Sequence, residues 1–478
     1  MVAGAMAVVC AGEKTRAYFT SMNLRHHIHR HRATITIVSS LVVILATAWM
    51  VGSHFLLGSI AIGGALIGVI VFLYPETAFI ASIGSIIIGQ LIRIPVGSSE
   101  ILPNDVIIPA LIVVWTLRRL ASQHWGLRKH SLTLPLVLMI TIMGLSLVAN
   151  IGRENASEWW SGSLYFVRWI EYLALFWIGQ DYFRTHQRAH KYLSLLVWVG
   201  VVLAVLGFIQ LKVFPDFSSM VPKGWDPHIG RLLSTWFDPN YLGGLFTVIT
   251  AVALGVALSV PFRQARWWWV AVVALTLATV LTYSRSGYVG FVIAMGFVAL
   301  FRSRTMLIIG LLAMMSVILF VPRVQERVIG IRTIDETAQL RLVSYQNAFT
   351  VIGDHPWLGI GYNLYKYVQV EYNFMTTTSE HSASGSDSSL LTVWVTTGTI
   401  GLAVYLWLFV AMLLELWKTW KDRALSAEWR GFGLGAFAGM LGLFAHSQFV
   451  NGLQYPHLME LMWLLVAMAI AVRQPSKT

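Results

Sequence analysis

The sequence predicts an all-α, polytopic membrane protein of about 12–14 transmembrane helices. Three observations carry that prediction. Hydrophobic residues make up 56% of the 478 residues. Charged residues make up 12%, against roughly a quarter of an ordinary soluble domain, too few to coat a soluble fold of this length. The apolar residues also fall into blocks close to the ~20-residue length at which a helix crosses a bilayer.

Fourteen such segments are readable: 34–52, 55–73, 78–94, 105–117, 132–150, 163–183, 192–213, 240–260, 267–283, 286–301, 305–321, 388–416, 431–449 and 457–472. The short ones at 105–117 and 286–301 set the lower bound of the count. The chain reads as one transmembrane domain over 1–478, with a basic tail at 1–33. Gly64/Gly68 and Gly435/Gly439 have the small-xxx-small spacing of close helix packing.

The formal charge of +12 would suggest nucleic acid in a soluble protein, but here the positive-inside rule is the first test. With the N-terminus in the cytoplasm, the inside segments collect Arg25, Arg30 and Arg32, then Arg118, Arg119, Arg128 and Lys129, and later Lys418, Lys421 and Arg423. Their net is +16, which leaves −4 for the other side. Both termini are then cytoplasmic, and two long segments, 214–239 and 322–387, face outward. No nucleic acid is implied.

A lone cysteine, Cys10, rules out an intrachain disulfide framework and any cysteine-based metal centre. The His26–Arg32 tract (HHIHRHR) reads as a basic flank of the first span. The expectation is no metal and no cofactor.

Arginine beside or within an apolar helix is costly unless it faces a partner or a cavity. Arg231 lies in GRLLSTWFDPNYLGGLF, where Asp238 is placed to cap a helix with Pro239 at its first position. Asn240 follows in that first turn. Arg285 interrupts the apolar run LTYSRSGYVGF. Arg341 sits in LRLVSYQNAFTVIGDHPWLGIGYNLY, whose spacing predicts a helix ended by His355-Pro356. The Gly359-x-Gly361 pair is a weak nucleotide-loop signal, because it neither follows a strand nor opens a helix. Glu380, His381 and Asp387 close the second long loop, and Asp387 with Ser388 and Ser389 is placed to cap the next span. Arg168 and Glu171 are spaced to pair on one helix face. Arg231, Arg285 and Arg341 all fall on the outer side. Guanidinium groups bind phosphate oxygens bidentately and stay charged.

These segments resemble the O-antigen ligase / O-antigen polymerase superfamily of bacterial membrane glycosyltransferases. The pieces that match are GRLLSTWFDPNYLGG, LTYSRSGYVGF, RLVSYQNAFTVIGDHPWLGIGYNLY and DSSLLTVWVTTGTIGL, with RWIEYLALF as weaker support, together spanning about 168–402. The resemblance implies a GT-C-type helical bundle in the bacterial inner membrane with a periplasmic active site. It implies an undecaprenyl-diphosphate-linked oligosaccharide as substrate and metal-independent, inverting transfer. By resemblance Arg231 and Arg285 contact the diphosphate and Arg341 helps place it; Asn240 and Arg168 join the expected substrate-binding set. Ligases of the family carry a His-Asn pair ahead of the last Gly-x-x-Gly, where this chain has Asp387-Ser388, as in polymerase-type members. The expected base is therefore Asp387, with His381 and Glu380 as the other candidates.

The leading expectation is a polymerase of surface polysaccharide repeat units, O-antigen, capsule or exopolysaccharide. The alternative is a ligase that moves the glycan to lipid A core. A flippase and a chain-length regulator are the candidate partners besides the bilayer. A transporter fits poorly, because the unusual charges gather at one face.

Overall fold

The computed structural model describes residues 71–96, 99–122, 130–153, 155–329, 336–376 and 385–474. Glu380 and His381 lie outside the described residues, as do Cys10, the His26–Arg32 tract and Gly64/Gly68. The chain divides into two compact units, Met1–Phe79 and Ile80–Thr478, and the second holds the helices that build the site.

The architecture is helical. In chain order the helices are α1 (Pro75–Ile88), α2 (Asn104–Ala121), α3 (Thr133–Ala149), α4 (Ala156–Tyr182), α5 (His186–Val213), α6 (Pro239–Ala257), α7 (Phe262–Leu281), α8 (Arg285–Arg302), α9 (Arg304–Phe320), α10 (Pro322–Ile329), α11 (Glu336–Asp354), α12 (Tyr365–Glu371), α13 (Ser389–Lys421), α14 (Ala427–His446) and α15 (Pro456–Val472). A small antiparallel hairpin, β1 (Ile94–Val96) and β2 (Ser99–Ile101), follows α1. Among the described residues, α5, α6, α7, α8 and α13 are long and apolar enough to cross a membrane, and α1, α3, α9 and α15 are shorter apolar helices. The chain is an all-α, multi-pass membrane protein.

Helix α6 is the centre. Every residue from Leu242 to Ala257 is buried. It packs against α14, α7 and α8. Small residues allow the approach: a Cβ on Gly435 would lie 2.3 Å from the Ala251 carbonyl oxygen, and one on Gly439 3.0 Å from Val248 Cα. The small-xxx-small reading of that pair holds, because only helices without side chains at the contact come so close.

The segment 322–387 is a loop only in part, since α10, α11 and α12 lie within it. Helix α11 covers the predicted helix and ends before His355-Pro356. Gly359 and Gly361 adopt positive φ, +66° and +103°. Helix α13 is broken at Gly398 (φ 70°, ψ −176°). The break frees carbonyls in the first half of α13. Ile360 N donates to the Val395 carbonyl (3.0 Å), Gly361 N donates to Thr396 (3.2 Å), and Thr399 N donates back to Pro356 (2.8 Å). The glycine pair therefore serves the broken helix rather than a nucleotide.

Arg168 makes its ion pair with Asp105 (2.7 Å) and donates to the Glu100 carbonyl (2.6 Å), in place of the expected local pair with Glu171. Asp105 lies in the first turn of α2, where it also accepts from Leu102 N at 2.7 Å. A carboxylate brought in from another helix wins over one on the same helix.

A methyl group at position 398 would lie 2.0 Å from the Trp357 carbonyl oxygen, on a backbone that L-residues rarely adopt. Gly398→Ala is therefore expected to lower the thermal midpoint in detergent strongly, with a cost of at least ~1–3 kcal/mol from the backbone alone. Gly296→Ala, in α8 with nothing within 4 Å, is expected to leave the midpoint unchanged or raise it.

Candidate active site

The loop before α6 folds back on itself. Phe217 N donates to the His228 carbonyl (3.0 Å) and Gly230 N to Pro215 (2.6 Å). Gly230 turns with φ +58° and delivers Arg231. Leu232 N then donates to the Leu281 carbonyl (2.9 Å), which lays this segment across the end of α7. Trp236 and Thr235 come next and donate to the Ile86 and Ile87 carbonyls at the end of α1 (2.9 and 2.6 Å). Phe237 is left-handed (φ +59°), and Asp238 caps α6, accepting from Asn240 N (2.6 Å) and Tyr241 N (3.3 Å). The predicted Asp238 cap with Pro239 at the first helical position is realised.

Helix α8 begins the same way. Tyr283 is left-handed (φ +50°), and Ser284 caps the helix by accepting from Gly287 N at 3.2 Å. The two helix starts meet. The Ser284 hydroxyl donates to Asn240 Oδ1 (2.8 Å). A Cβ on Gly243 would be 3.5 Å from Gly287 Cα. Arg231 joins them: its Nε donates to the Thr282 carbonyl (2.8 Å), and a terminal nitrogen reaches the Tyr283 carbonyl (3.4 Å) and Asn240 Oδ1 (3.5 Å). Arg285, half-buried, is the first residue of α8. Two helix N-termini thus meet, with Arg231 bonded across them and Arg285 opening the second. Helix starts present unpaired N–H groups and partial positive charge, so this corner is suited to an anion.

Arg341 and Asp387 form a second group. Ser388, not Asp387, caps α13, accepting from Leu391 N at 3.4 Å. The Asp387 carboxylate is thereby left out of the cap, and its backbone N–H donates to Ser344 Oγ of α11 (3.3 Å). Burial raises the Asp387 pKa above the ordinary carboxylate value; Arg341 pulls it down and Asp226 pushes it up. Tyr345, one helical turn from Arg341, is raised by burial, with Arg341 opposing and Asp387 adding. Its hydroxyl donates to the Gln448 carbonyl beyond α14.

His446, the last residue of α14, bridges toward the first group: its Nε2 is 2.9 Å from the Asn240 carbonyl oxygen. Arg341 acts electrostatically on His446, and Asp387 and Asp226 act on Tyr241, the residue after Asn240. Tyr241 in turn stacks on Tyr455 at the start of α15 (4.2 Å, 15° between planes).

The structure brings Arg231, Asn240 and Arg285 to one corner and couples Arg341 to Asp387. Arg168 is engaged with Asp105 and Glu100. Sequence reasoning left Asp226 and Arg323 out and noted His446 only as a polar intrusion without an assignable partner. Asp226 had a signal, an Asp-Pro in the long outer loop. His446 had only its presence in an apolar run. Arg323 carries no local signal in the sequence, yet it donates to the Gly230 carbonyl (2.6 Å) and lies 4.4 Å over the Tyr283 ring.

Residues 270–406 match a family model described as O-antigen ligase, Wzy_C. That match supports a place in the O-antigen ligase/polymerase superfamily for this segment of the chain. No curated protein matches it. Arg285, Arg323, Arg341 and Asp387 lie inside the O-antigen ligase segment, whereas Arg231 and Asn240 lie before it and meet it in space at Thr282–Ser284.

Proposed function

We propose that the protein transfers a glycan from an undecaprenyl-diphosphate-linked donor and polymerises surface polysaccharide repeat units. The observation that carries this reading is the convergence of Arg231, Asn240 and Arg285 at the touching N-termini of α6 and α8. In this scheme the donor's diphosphate lies at that corner and its lipid runs between the helices. An acceptor sugar hydroxyl attacks the anomeric carbon from the face opposite the diphosphate. The anomeric C–O bond breaks, the configuration inverts, and undecaprenyl diphosphate leaves. Negative charge grows on its oxygens, and fixed guanidinium and backbone N–H groups stabilise it. Asp387 takes the proton of the attacking hydroxyl. Its burial raises its proton affinity, and Arg341 opposes that rise. His381 and Glu380 remain the other candidate bases.

The second reading is a ligase that delivers the glycan to lipid A core, favoured by the description of the matching family. Both readings place the chemistry on the periplasmic side of the bacterial inner membrane, with cytoplasmic termini. The excess of basic residues on the assigned inner segments supports that orientation. The single-domain organisation over 1–478, with the outer segments 214–239 and 322–387 carrying the site, belongs to the same proposal. So do a flippase and a chain-length regulator as partners.

Asp387→Asn is expected to lower transfer by about 10²–10⁴-fold, the usual worth of a general base. Arg231→Ala and Arg285→Ala are expected to lower it as well. Surface glycan chain length in a host lacking its own enzyme is the measurement, and unchanged long chains from all three variants would refute the mechanism. The products separate the two readings. Loss of a polymerase leaves single repeats on the acceptor, and loss of a ligase strands long glycan on undecaprenyl diphosphate.

A base works when deprotonated, so activity should rise with pH through the Asp387 pKa, which is raised from 3.8. Arg341 lowers that pKa, so Arg341→Ala should move the acidic limb of kcat/KM to higher pH. Asp226 raises it, so Asp226→Asn should move the limb to lower pH. Shifts in the reverse directions would remove Asp387 from the role of base.

For orientation, a cysteine placed at Lys223 should react with an impermeant maleimide in intact spheroplasts. Labelling only after permeabilisation would invert the topology.

A further inference from the structure

We infer that Arg323 is a positioning residue for Arg231, holding the turn that carries it against Tyr283; the inference rests on the diphosphate reading of the corner. Arg323 is the second residue of α10. Its guanidinium donates to the Gly230 carbonyl (2.6 Å) and also to the Ile229 carbonyl, the two residues immediately before Arg231. The same guanidinium lies 4.4 Å over the Tyr283 ring. Arg231 reaches the Tyr283 carbonyl. One charged fork therefore ties together the two backbone turns, at Gly230 and Tyr283, that both have positive φ.

The geometry has two requirements. Position 230 favours glycine, because its φ is +58° and a Cβ there would lie 2.5 Å from the nearer Arg323 nitrogen and displace the guanidinium. Position 323 must present two donors in a plane while its face covers a ring, which guanidinium does and ammonium does not. Charge-assisted bonds to carbonyls and a cation–π contact then fix a turn that is otherwise held by Gly230 N to Pro215. Arg323 turns both terminal nitrogens to main-chain carbonyls of the Arg231 turn, and in this inference it acts on the donor through Arg231.

The test measures binding of undecaprenyl diphosphate to the purified full chain in detergent, alongside the thermal midpoint. Wild type is compared with Arg323→Ala, Arg231→Ala and the double variant. The expected result is a loss of affinity of about tenfold in Arg323→Ala, which corresponds to ~1.4 kcal/mol. The midpoint should change little, and the double variant should bind no more weakly than Arg231→Ala alone. Equal binding by Arg323→Ala and wild type overturns the inference. So does an additive loss in the double variant, since Arg323 would then contact the ligand by itself. If Arg323→Ala does not fold, Arg323→Gln, which keeps one amide donor, is judged by the same two criteria. Failure of wild type itself to bind undecaprenyl diphosphate overturns the donor reading, and the inference with it.

Discussion

The contact between the starts of α6 and α8 is the constraint on which the site depends. Two helix N-termini side by side place like partial charges next to each other, which disfavours the arrangement when no anion is present. Packing enforces it nonetheless. Helix α6 is buried along its length among α7, α8 and α14, and Gly243 faces Gly287 with no side chain between them. The Ser284 hydroxyl, accepted by Asn240, fixes the relative height of the two starts. Adding Arg231 and Arg285 makes the same corner more positive still. Holding Arg231 with the Thr282 and Tyr283 carbonyls fixes its direction without adding negative charge.

The second arm of the site depends on the break in α13. An unbroken helix would leave the 356–361 segment without the carbonyls of Val395 and Thr396, and α11 would lose its tether. Gly398 alone permits the backbone angles at the break. The first half of α13 then begins at Ser388, whose hydroxyl takes the capping role. That division releases Asp387, one residue earlier, to face Arg341 and Tyr345.

Much of this was readable where a local rule applied. Asp238-Pro239 announced a capped helix, and arginines set against apolar runs announced an unusual corner. The all-helical membrane fold followed from composition and block length. What stayed hidden depends on distance along the chain. Arg168 and Asp105 pair across 63 residues, so the nearer Glu171 was the natural local guess. Arg323 acts on Gly230 across 93 residues, and nothing near it in the chain signals that. Asp387 and Ser388 are both good capping residues, and spacing does not distinguish which of two neighbours turns inward. A kink at Gly398 has no periodic signature inside an apolar run.

In the proposed mechanism the arrangement separates two electrostatic tasks that conflict when performed in one place. A leaving diphosphate needs dense positive charge, and a general base loses proton affinity beside such charge. Here the helix starts with Arg231 and Arg285 form one group, and Asp387 lies in another with a single named cation, Arg341, acting on it. Burial and Asp226 push the carboxylate toward higher proton affinity, and Arg341 restrains the push. Arg341 also acts electrostatically on His446, and Asp387 on Tyr241, both of which adjoin Asn240. A histidine in the position of Asp387 would carry positive charge after taking the proton and would repel Arg341. A carboxylate becomes neutral instead, so in this setting proton transfer removes an attraction rather than creating a repulsion. The surroundings of Arg341 therefore suit an aspartate as base.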